Sequence, residues 1–231
     1  MDKRRVLELA KQSRTFPENI VKEEYEMIFL KEILESKYGK EFIFKGGTAL
    51  RLAYNSMRFS EDLDFSLIGK ISWKKVKEIL KNRARDFKTI EIKELKEKHY
   101  TYFALFSIRE NFLKQPFLLK IEISKRLINW EKEDDFKLLQ LTTPNSVLAT
   151  AGFVVTLERA YKDKKRMVKE RTKGRDVFDL WWLSQKLRKK EEIIVGDKFN
   201  KRSIESELKR FLPKGNWLII DELIKKNEDK R

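Results

Sequence analysis

The chain has 231 residues, which is enough for one large domain or two small ones with a real hydrophobic core. Its composition, 41% hydrophobic with five Trp and sixteen Phe, excludes a disordered chain, and the absence of cysteine excludes disulfides and thiolate metal sites. There is no apolar run long enough for a transmembrane helix and no apolar signal stretch at the start, so we expect a cytoplasmic protein without membrane contact.

The strong positive charge of the chain points to polyanionic partners. The net charge is +16, from 53 Lys and Arg against 37 Asp and Glu. Such an excess predicts attraction to RNA or DNA ahead of membranes. The alternative is a Lys/Glu-rich surface of the thermophile type, because 39% of the residues are charged. Composition alone does not separate these two interpretations.

Amphipathic helices are predicted in the first half of the chain. Residues 2–12 form the first, and the second begins at Pro17. Gly39 is the candidate cap at the end of the second helix, because glycine readily adopts the left-handed conformation common there. A third helix follows Gly69, where apolar residues recur at helical spacing up to Phe87.

The centre of the chain combines a glycine turn with a pair of carboxylates. Residues 42–44 are apolar and strand-prone, which predicts a buried strand. Gly46 and Gly47 follow, and adjacent glycines at a helix start leave unpaired N–H groups that favour a phosphate. In a second predicted strand, Asp62 and Asp64 share one face. Two carboxylates so close repel each other unless a cation lies between them, and oxygen ligands of this kind suit Mg²⁺.

Strands are predicted again after the third helix. The hydrophobic period changes to about two, which predicts strands at residues 89–92, 100–108 and 117–123. Glu122 lies between two isoleucines in the last of these, and a carboxylate in a strand built to be buried needs a partner. The alternative is that Glu122 faces water, as every second residue of a one-sided sheet does.

The C-terminal part of the chain is predicted to be largely helical. A long helix is expected over residues 146–171, apolar at its start and strongly basic later. Within residues 159–175 there are nine Lys or Arg and only two acidic residues, a density that by itself is typical of a solvated helix face. Gly174 interrupts this pattern. Further helices are predicted from Arg175 onward, over 203–212 and over 217–225.

Two sequence patterns together resemble the AbiEii/AbiGii family of nucleotidyltransferase toxins, within the DNA polymerase β-like nucleotidyltransferase superfamily. The first is Lys-Gly-Gly-Thr-Ala-Leu at residues 45–50, followed by Arg-x-Ser-x-Asp-x-Asp at 58–64. The second is Arg-Asp-x-Phe-Asp-Leu at 175–180, similar to the family's Arg-Asp-x-Tyr-Asp-Leu. Asp163 and Lys164 stand where the family commonly has Glu-Lys, so the glutamate is replaced here.

The resemblance extends over residues 22–183 and implies an α+β fold. It implies a polymerase β-like nucleotidyltransferase core with a small mixed sheet and N-terminal helices in residues 1–140. A largely helical C-terminal domain, residues 141–231, would then close the active-site cleft.

The resemblance also implies a role for each motif residue. Asp62, Asp64 and Glu122 would bind the metal, Mg²⁺ or else Mn²⁺, and the substrate would be a nucleoside triphosphate. Lys164 and Asp176 would complete the catalytic set, with Asp176 either catalytic or nucleotide-positioning. The nucleotide-binding residues would be Gly46, Gly47, Thr48, Arg58, Ser60 and Lys164.

The implied reaction transfers a nucleoside monophosphate to the 3′ end of an RNA, with tRNA as the leading candidate, and makes the chain a toxin of a toxin–antitoxin pair. The basic segment 159–175 would hold the RNA backbone, and a cognate antitoxin is a candidate partner. Two alternatives stay open. One is transfer of the nucleotide onto a protein side chain, and the other is an inactive module that binds nucleotide or RNA.

Overall fold

A computed structural model describes residues 1–126, 128–170, 173–190 and 200–228. The strands are β1 (Phe42–Lys45), β2 (Asp62–Leu67), β3 (Ile90–Glu97), β4 (Thr101–Ile108), β5 (Phe117–Ser124), β6 (Phe136–Leu141) and β7 (Thr150–Val155). The helices are α1 (Lys3–Gln12), α2 (Pro17–Leu34), α3 (Gly46–Tyr54), α4 (Trp73–Arg85), α5 (Leu157–Glu170), α6 (Gly174–Lys186), α7 (Lys201–Phe211) and α8 (Leu218–Glu228), with short 3-10 turns at Gly39–Glu41 and Lys214–Asn216.

Within the described residues, seven strands form one mixed sheet in the order β3-β4-β5-β2-β1-β7-β6. β1 is antiparallel to β2 and parallel to β7, and β2 is parallel to β5. The register places Asp64 opposite Lys45 on β1 and opposite Glu122 on β5. Directly opposite residues of neighbouring strands project from the same face. The sheet therefore brings the carboxylate of β5 beside those of β2.

β1 lies between two apolar clusters, one on each face of the sheet. Phe42 and Phe44 belong to the cluster that α1, α2 and α4 cover, whereas Ile43 belongs to the cluster that α5, α6, α7 and α8 cover. Burial on both faces explains why this strand is apolar at successive positions. Ala49 and Leu50 of α3 also belong to different clusters, so the helix after the glycine turn is held from both sides.

The prediction of one long helix over residues 146–171 is wrong in its first part. Thr150–Val155 forms β7, which pairs with both β1 and β6, and α5 begins only at Leu157. A short apolar run fits a buried strand as well as a buried helix, and here two partner strands decide between them. No prediction covers β6, and residue 171 lies outside the described residues.

The predicted capping role of Gly39 is also wrong. α2 ends at Leu34, and Glu35 keeps a right-handed conformation and donates its N–H to the carbonyl of Lys31. Gly39 instead begins a 3-10 turn, where a Cβ would lie 1.8 Å from the carbonyl oxygen of Leu34. Glycine is therefore needed there because the turn packs directly against the end of α2.

The strand predicted at residues 89–92 is five residues longer at its end, because β3 runs to Glu97. The remaining predicted elements are confirmed with small shifts of their ends, and the α+β fold class is confirmed. The helices of the C-terminal half follow the sheet, which itself continues to Val155. The division into residues 1–140 and 141–231 stays a prediction. Of the helices in the described ranges, none combines the length and apolar character needed to cross a membrane.

Candidate active site

The glycine turn brings the start of α3 against the carboxylate strand. Gly46 has φ +85°, and a Cβ on it would lie 2.6 Å from Oδ2 of Asp64. A Cβ on Gly47 would lie 2.2 Å from Nη2 of Arg58. Only glycine permits both the left-handed conformation at the first position and the close approach at the second. The unpaired N–H groups at the start of α3 consequently lie beside β2, where they can face an anion.

Thr48 is predicted to bind nucleotide, but its side chain is buried between α3 and β2. Its hydroxyl donates a hydrogen bond of 2.6 Å to the backbone carbonyl of Asp62, and the residue is 1% exposed. The side chain therefore ties α3 to β2 from the interior and does not line the cleft. Its predicted contact with a phosphate can involve only the backbone of the helix start.

The structure places the three predicted metal ligands on two adjacent strands. Asp62 and Asp64 lie on β2, and Glu122 lies opposite Asp64 on β5. The ammonium of Lys120 lies between two of these carboxylates, 3.2 Å from Oδ2 of Asp62 and 3.1 Å from Oε2 of Glu122. Burial, followed by repulsion from Asp62, raises the pKa of Asp64. The cluster therefore attracts a cation.

The donor set fits a divalent cation, since carboxylate oxygens from two adjacent strands are the ligands that Mg²⁺ prefers. The Lys120 ammonium already contacts two of them, so positive charge is stabilised at this position. Among the side chains that the structure describes, no three or more Asp, Glu, His or Cys converge closely enough to enclose a metal ion. In the observed conformation the position is taken by Lys120.

A buried ionic network faces the carboxylates from the helical side. Lys164 of α5 donates to Oδ1 of Asp176 at 2.8 Å and contacts Oδ2 of Asp179 at 2.7 Å. Arg58 donates from Nε and Nη2 to the two oxygens of Asp179, at 2.8 and 2.9 Å. These four residues are at most 8% exposed. The network joins the segment before β2 to α5 and α6.

The pKa values of Lys164 and Asp179 are shifted by the opposite charges beside them. Burial alone would lower the pKa of Lys164, but Asp179 and Asp176 outweigh it and raise that pKa. Burial alone would raise the pKa of Asp179, but Arg58 and Lys164 outweigh it and lower that pKa. All the charges are therefore kept inside the protein because each one is compensated.

Sequence reasoning missed Asp179 as a site residue. It stands three residues after Asp176, so the two lie on the same side of α6, and it belongs to the same sequence motif. This spacing and the motif were signals from which Asp179 could have been predicted. Lys120 was also missed, although it lies two residues before Glu122 and so projects from the same face of β5. Lys45, opposite Asp64, is a further missed cation, and burial lowers its pKa.

Apart from Asp179, these groups line one cleft of about 350 Å³ between the sheet and α5–α6. Every predicted site residue except Thr48 lines it. The predicted residues in its wall are Gly46, Gly47, Arg58, Ser60, Asp62, Asp64, Glu122, Lys164 and Asp176. The others are Lys45, Leu50, Lys120, Val155, Ala160, Asp163, Arg166, Met167 and Arg175.

A glycine turn at a helix start, facing carboxylates on adjacent strands of a mixed sheet, is an arrangement suited to an enzyme that binds a nucleotide phosphate together with a cation. The family model of the nucleotidyl transferase AbiEii toxin of type IV toxin–antitoxin systems matches residues 28–225. The chain therefore belongs to the AbiEii family of nucleotidyltransferase toxins, and it is an enzyme of nucleotidyl transfer. The resemblance stated from its motifs is confirmed.

Solved structures share the fold. JHP933 from Helicobacter pylori is 24% identical, with a TM-score of 0.54, over 84% of this chain and 74% of that one. MenT4, a nucleotidyltransferase toxin from Mycobacterium tuberculosis, is 16% identical, with a TM-score of 0.59, over 96% of this chain and 87% of that one. At these identities the likeness shows the fold alone. The search of curated proteins gives no significant match.

Proposed function

We propose that this enzyme transfers a nucleoside monophosphate from a nucleoside triphosphate to the 3′ hydroxyl of an RNA, with tRNA as the leading candidate, and that this activity is its toxic activity. The observation that carries the proposal is the meeting of three carboxylates, a helix start and a buried lysine in one cleft. The 3′ oxygen would bond to the α-phosphorus as the bond to pyrophosphate breaks. The proton of the hydroxyl would pass to a carboxylate, for which Glu122 is the candidate.

Asp62, Asp64 and Glu122 are the residues that would hold the divalent cation, Mg²⁺ or Mn²⁺. When bound, such an ion neutralises charge on the triphosphate and on the departing pyrophosphate. The repulsion between Asp62 and Asp64 supports this assignment, because two adjacent carboxylates on one strand face need positive charge nearby.

The triphosphate would lie against the start of α3, where the N–H groups of Gly46 and Gly47 and the helix dipole favour anions. Lys164 gives two of its three donors to Asp176 and Asp179, and the third is available to a phosphate in the cleft. In this proposal Asp176 positions Lys164. Arg58 acts through its bidentate contact with Asp179, so it is a positioning residue as well.

The other parts of the nucleotide would meet different walls of the cleft. Ser60 supplies a hydroxyl close to Gly47. Its Oγ lies 2.9 Å from the position that a Cβ on Gly47 would occupy. Leu50, Val155 and Met167 form the apolar part of the lining, which suits the flat face of a base.

The RNA would bind along the exposed side of α5. Lys162, Lys165, Arg166 and Lys169 are exposed and recur at positions that share one helix face, and Arg166 also borders the cleft. Such a row of cations fits a phosphate backbone. Within the predicted segment 159–175, residues 171–172 lie outside the described part of the chain, and Arg159 is held by Asp135 at 3.1 Å.

The test is incubation of the purified protein with Mg²⁺, total RNA and each labelled nucleoside triphosphate in turn. Asp64→Asn is the inactivating variant, and Asp86→Asn, on an aspartate that is 62% exposed and outside the cleft, is the matched control. We expect label on RNA with the wild type and with the control, and none with Asp64→Asn. Label on protein alone would favour the protein-modifying alternative. Nucleotide binding without any transfer would favour an inactive binding module.

A further inference from the structure

Lys120 has a place in the site that the reaction described above does not use. The parallel pairing of β2 with β5 sets Lys120 opposite Asp62 and Glu122 opposite Asp64. The four side chains form a two-by-two group with three carboxylates and one ammonium. The ammonium contacts Asp62 on one strand and Glu122 on the other, at 3.2 and 3.1 Å.

The Lys120 ammonium offsets part of the negative charge of the three carboxylates. Three carboxylates and one lysine carry a formal charge of about −2, whereas the carboxylates alone would carry about −3. The side chain of Lys120 is 32% exposed and lines the cleft, so a ligand bound there can reach its ammonium. A lysine ends in a compact charge on a flexible stem, which suits it to exchange one anionic partner for another.

We propose, building on the metal-dependent function above, that Lys120 is a displaceable internal counter-ion of the metal site. In the free enzyme its ammonium occupies the position between Asp62 and Glu122 and opposes binding of a divalent cation. A nucleoside triphosphate offers the displaced ammonium a new anionic partner in the same cleft. Metal and nucleotide therefore bind cooperatively, and the enzyme without nucleotide holds its metal weakly.

The physical reason is a competition between two cations for the same oxygens. A divalent ion that binds alone must free Asp62 and Glu122 from Lys120 and leave the ammonium without either partner. A divalent ion that arrives with a triphosphate brings a net charge of about −2, about −4 on the triphosphate against +2 on the ion, so the released ammonium is again compensated. The coupling is reciprocal, and metal must also raise the affinity for nucleotide.

The test measures the affinity for Mn²⁺ by electron paramagnetic resonance, with and without a non-hydrolysable α,β-methylene nucleoside triphosphate. The variant is Lys120→Met, which removes the charge and keeps an unbranched side chain. Lys93→Met is the matched control, because Lys93 pairs with Glu91 on the exposed side of β3 and outside the cleft. Lys120→Gln repeats the test should the methionine variant fail to fold.

Without nucleotide, we expect the Lys120 variants to bind Mn²⁺ at least about tenfold more tightly than the wild type, since one competing charge is gone. With the analogue present this difference should shrink to less than about threefold. The Lys93 control should match the wild type in both conditions.

Equal or weaker Mn²⁺ binding by the Lys120 variants without nucleotide would overturn the inference and leave the proposed reaction standing. An advantage of the variants that persists unchanged with the analogue would overturn the cooperative part. Failure of every protein to bind Mn²⁺, even with the analogue, would overturn the metal-dependent function itself.

Discussion

Asp179 is a buried charged residue whose neutralisation should strongly destabilise this fold. It accepts two hydrogen bonds from Arg58, at 2.8 and 2.9 Å, and contacts Lys164 at 2.7 Å. The Arg58 side chain is 2% exposed and that of Lys164 is 10% exposed. Asp179→Asn would leave both cations inside the protein opposite a neutral amide, whose nitrogen is itself a donor.

The magnitude follows from the burial of the partners. Removal of one member of a buried ion pair costs about 3–5 kcal/mol, because the remaining charge is uncompensated. The whole free energy of unfolding of a typical domain is about 5–15 kcal/mol. We therefore expect Asp179→Asn to lose about 3–5 kcal/mol. Loss of an exposed pair costs about 0–1 kcal/mol, which is the expectation for Asp86→Asn, whose partner Arg83 lies 3.4 Å away.

Guanidinium unfolding of the wild type and of both variants gives these free energies. The effect also depends on pH, because Arg58 and Lys164 outweigh burial and lower the pKa of Asp179. The stabilisation is complete above the ordinary value of 3.8 and disappears as the pH falls through the lowered pKa. A loss below about 1 kcal/mol at neutral pH, similar to the control, would refute the view that this network is sealed from water.

Three further substitutions test other parts of the structure. Gly46→Ala places a Cβ 2.6 Å from Oδ2 of Asp64 in a residue with φ +85°. The free energy of unfolding should therefore fall by about 1–3 kcal/mol in thermal unfolding, and an unchanged melting temperature would contradict this. Glu26 is 2% exposed, its Oε1 has no partner among the described residues, and burial raises its pKa well above 4.5. The folded state then keeps a proton that the unfolded state loses, so wild-type stability falls as the pH rises above 4.5. The stability of Glu26→Gln should therefore increase relative to the wild type as the pH rises above 4.5; a constant difference in unfolding titrations would argue against it. Replacing Lys162 and Lys169 with Gln should weaken RNA binding and reduce the slope of log affinity against log salt concentration by about 0.7 per lysine, without changing nucleotide affinity. A loss of nucleotide affinity would contradict the assignment of these lysines to the RNA site.

Much of the site can be predicted because its signals are local. The alternation of a strand places Asp62 and Asp64 on one face whatever surrounds them. Adjacent glycines before an apolar helix indicate a close approach, and the structure shows the approach of Gly46 and Gly47 to Asp64 and Arg58. Burial on both faces is visible in the unbroken apolar run of β1.

Other features could not be predicted because they depend on partners distant in the sequence. Residues 150–155 are compatible with helix or strand, and only their pairing with β1 and β6 makes them β7. Lys164 is singled out from its neighbouring lysines by its motif, but its ion pairs could not be predicted, because they form only when α6 brings Asp176 and Asp179 to it.

The sequence by itself determined which residue types are suited to a phosphate and a cation, since turns, helix starts and strand alternation are set within a few residues. Only the tertiary structure decided which charges compensate one another. The register of β2 against β5 places Lys120 between Asp62 and Glu122, and the packing of α6 brings Asp179 to Arg58. Ion pairs act over a few ångströms between atoms far apart in the chain, so they appear only when the sheet and helices are assembled.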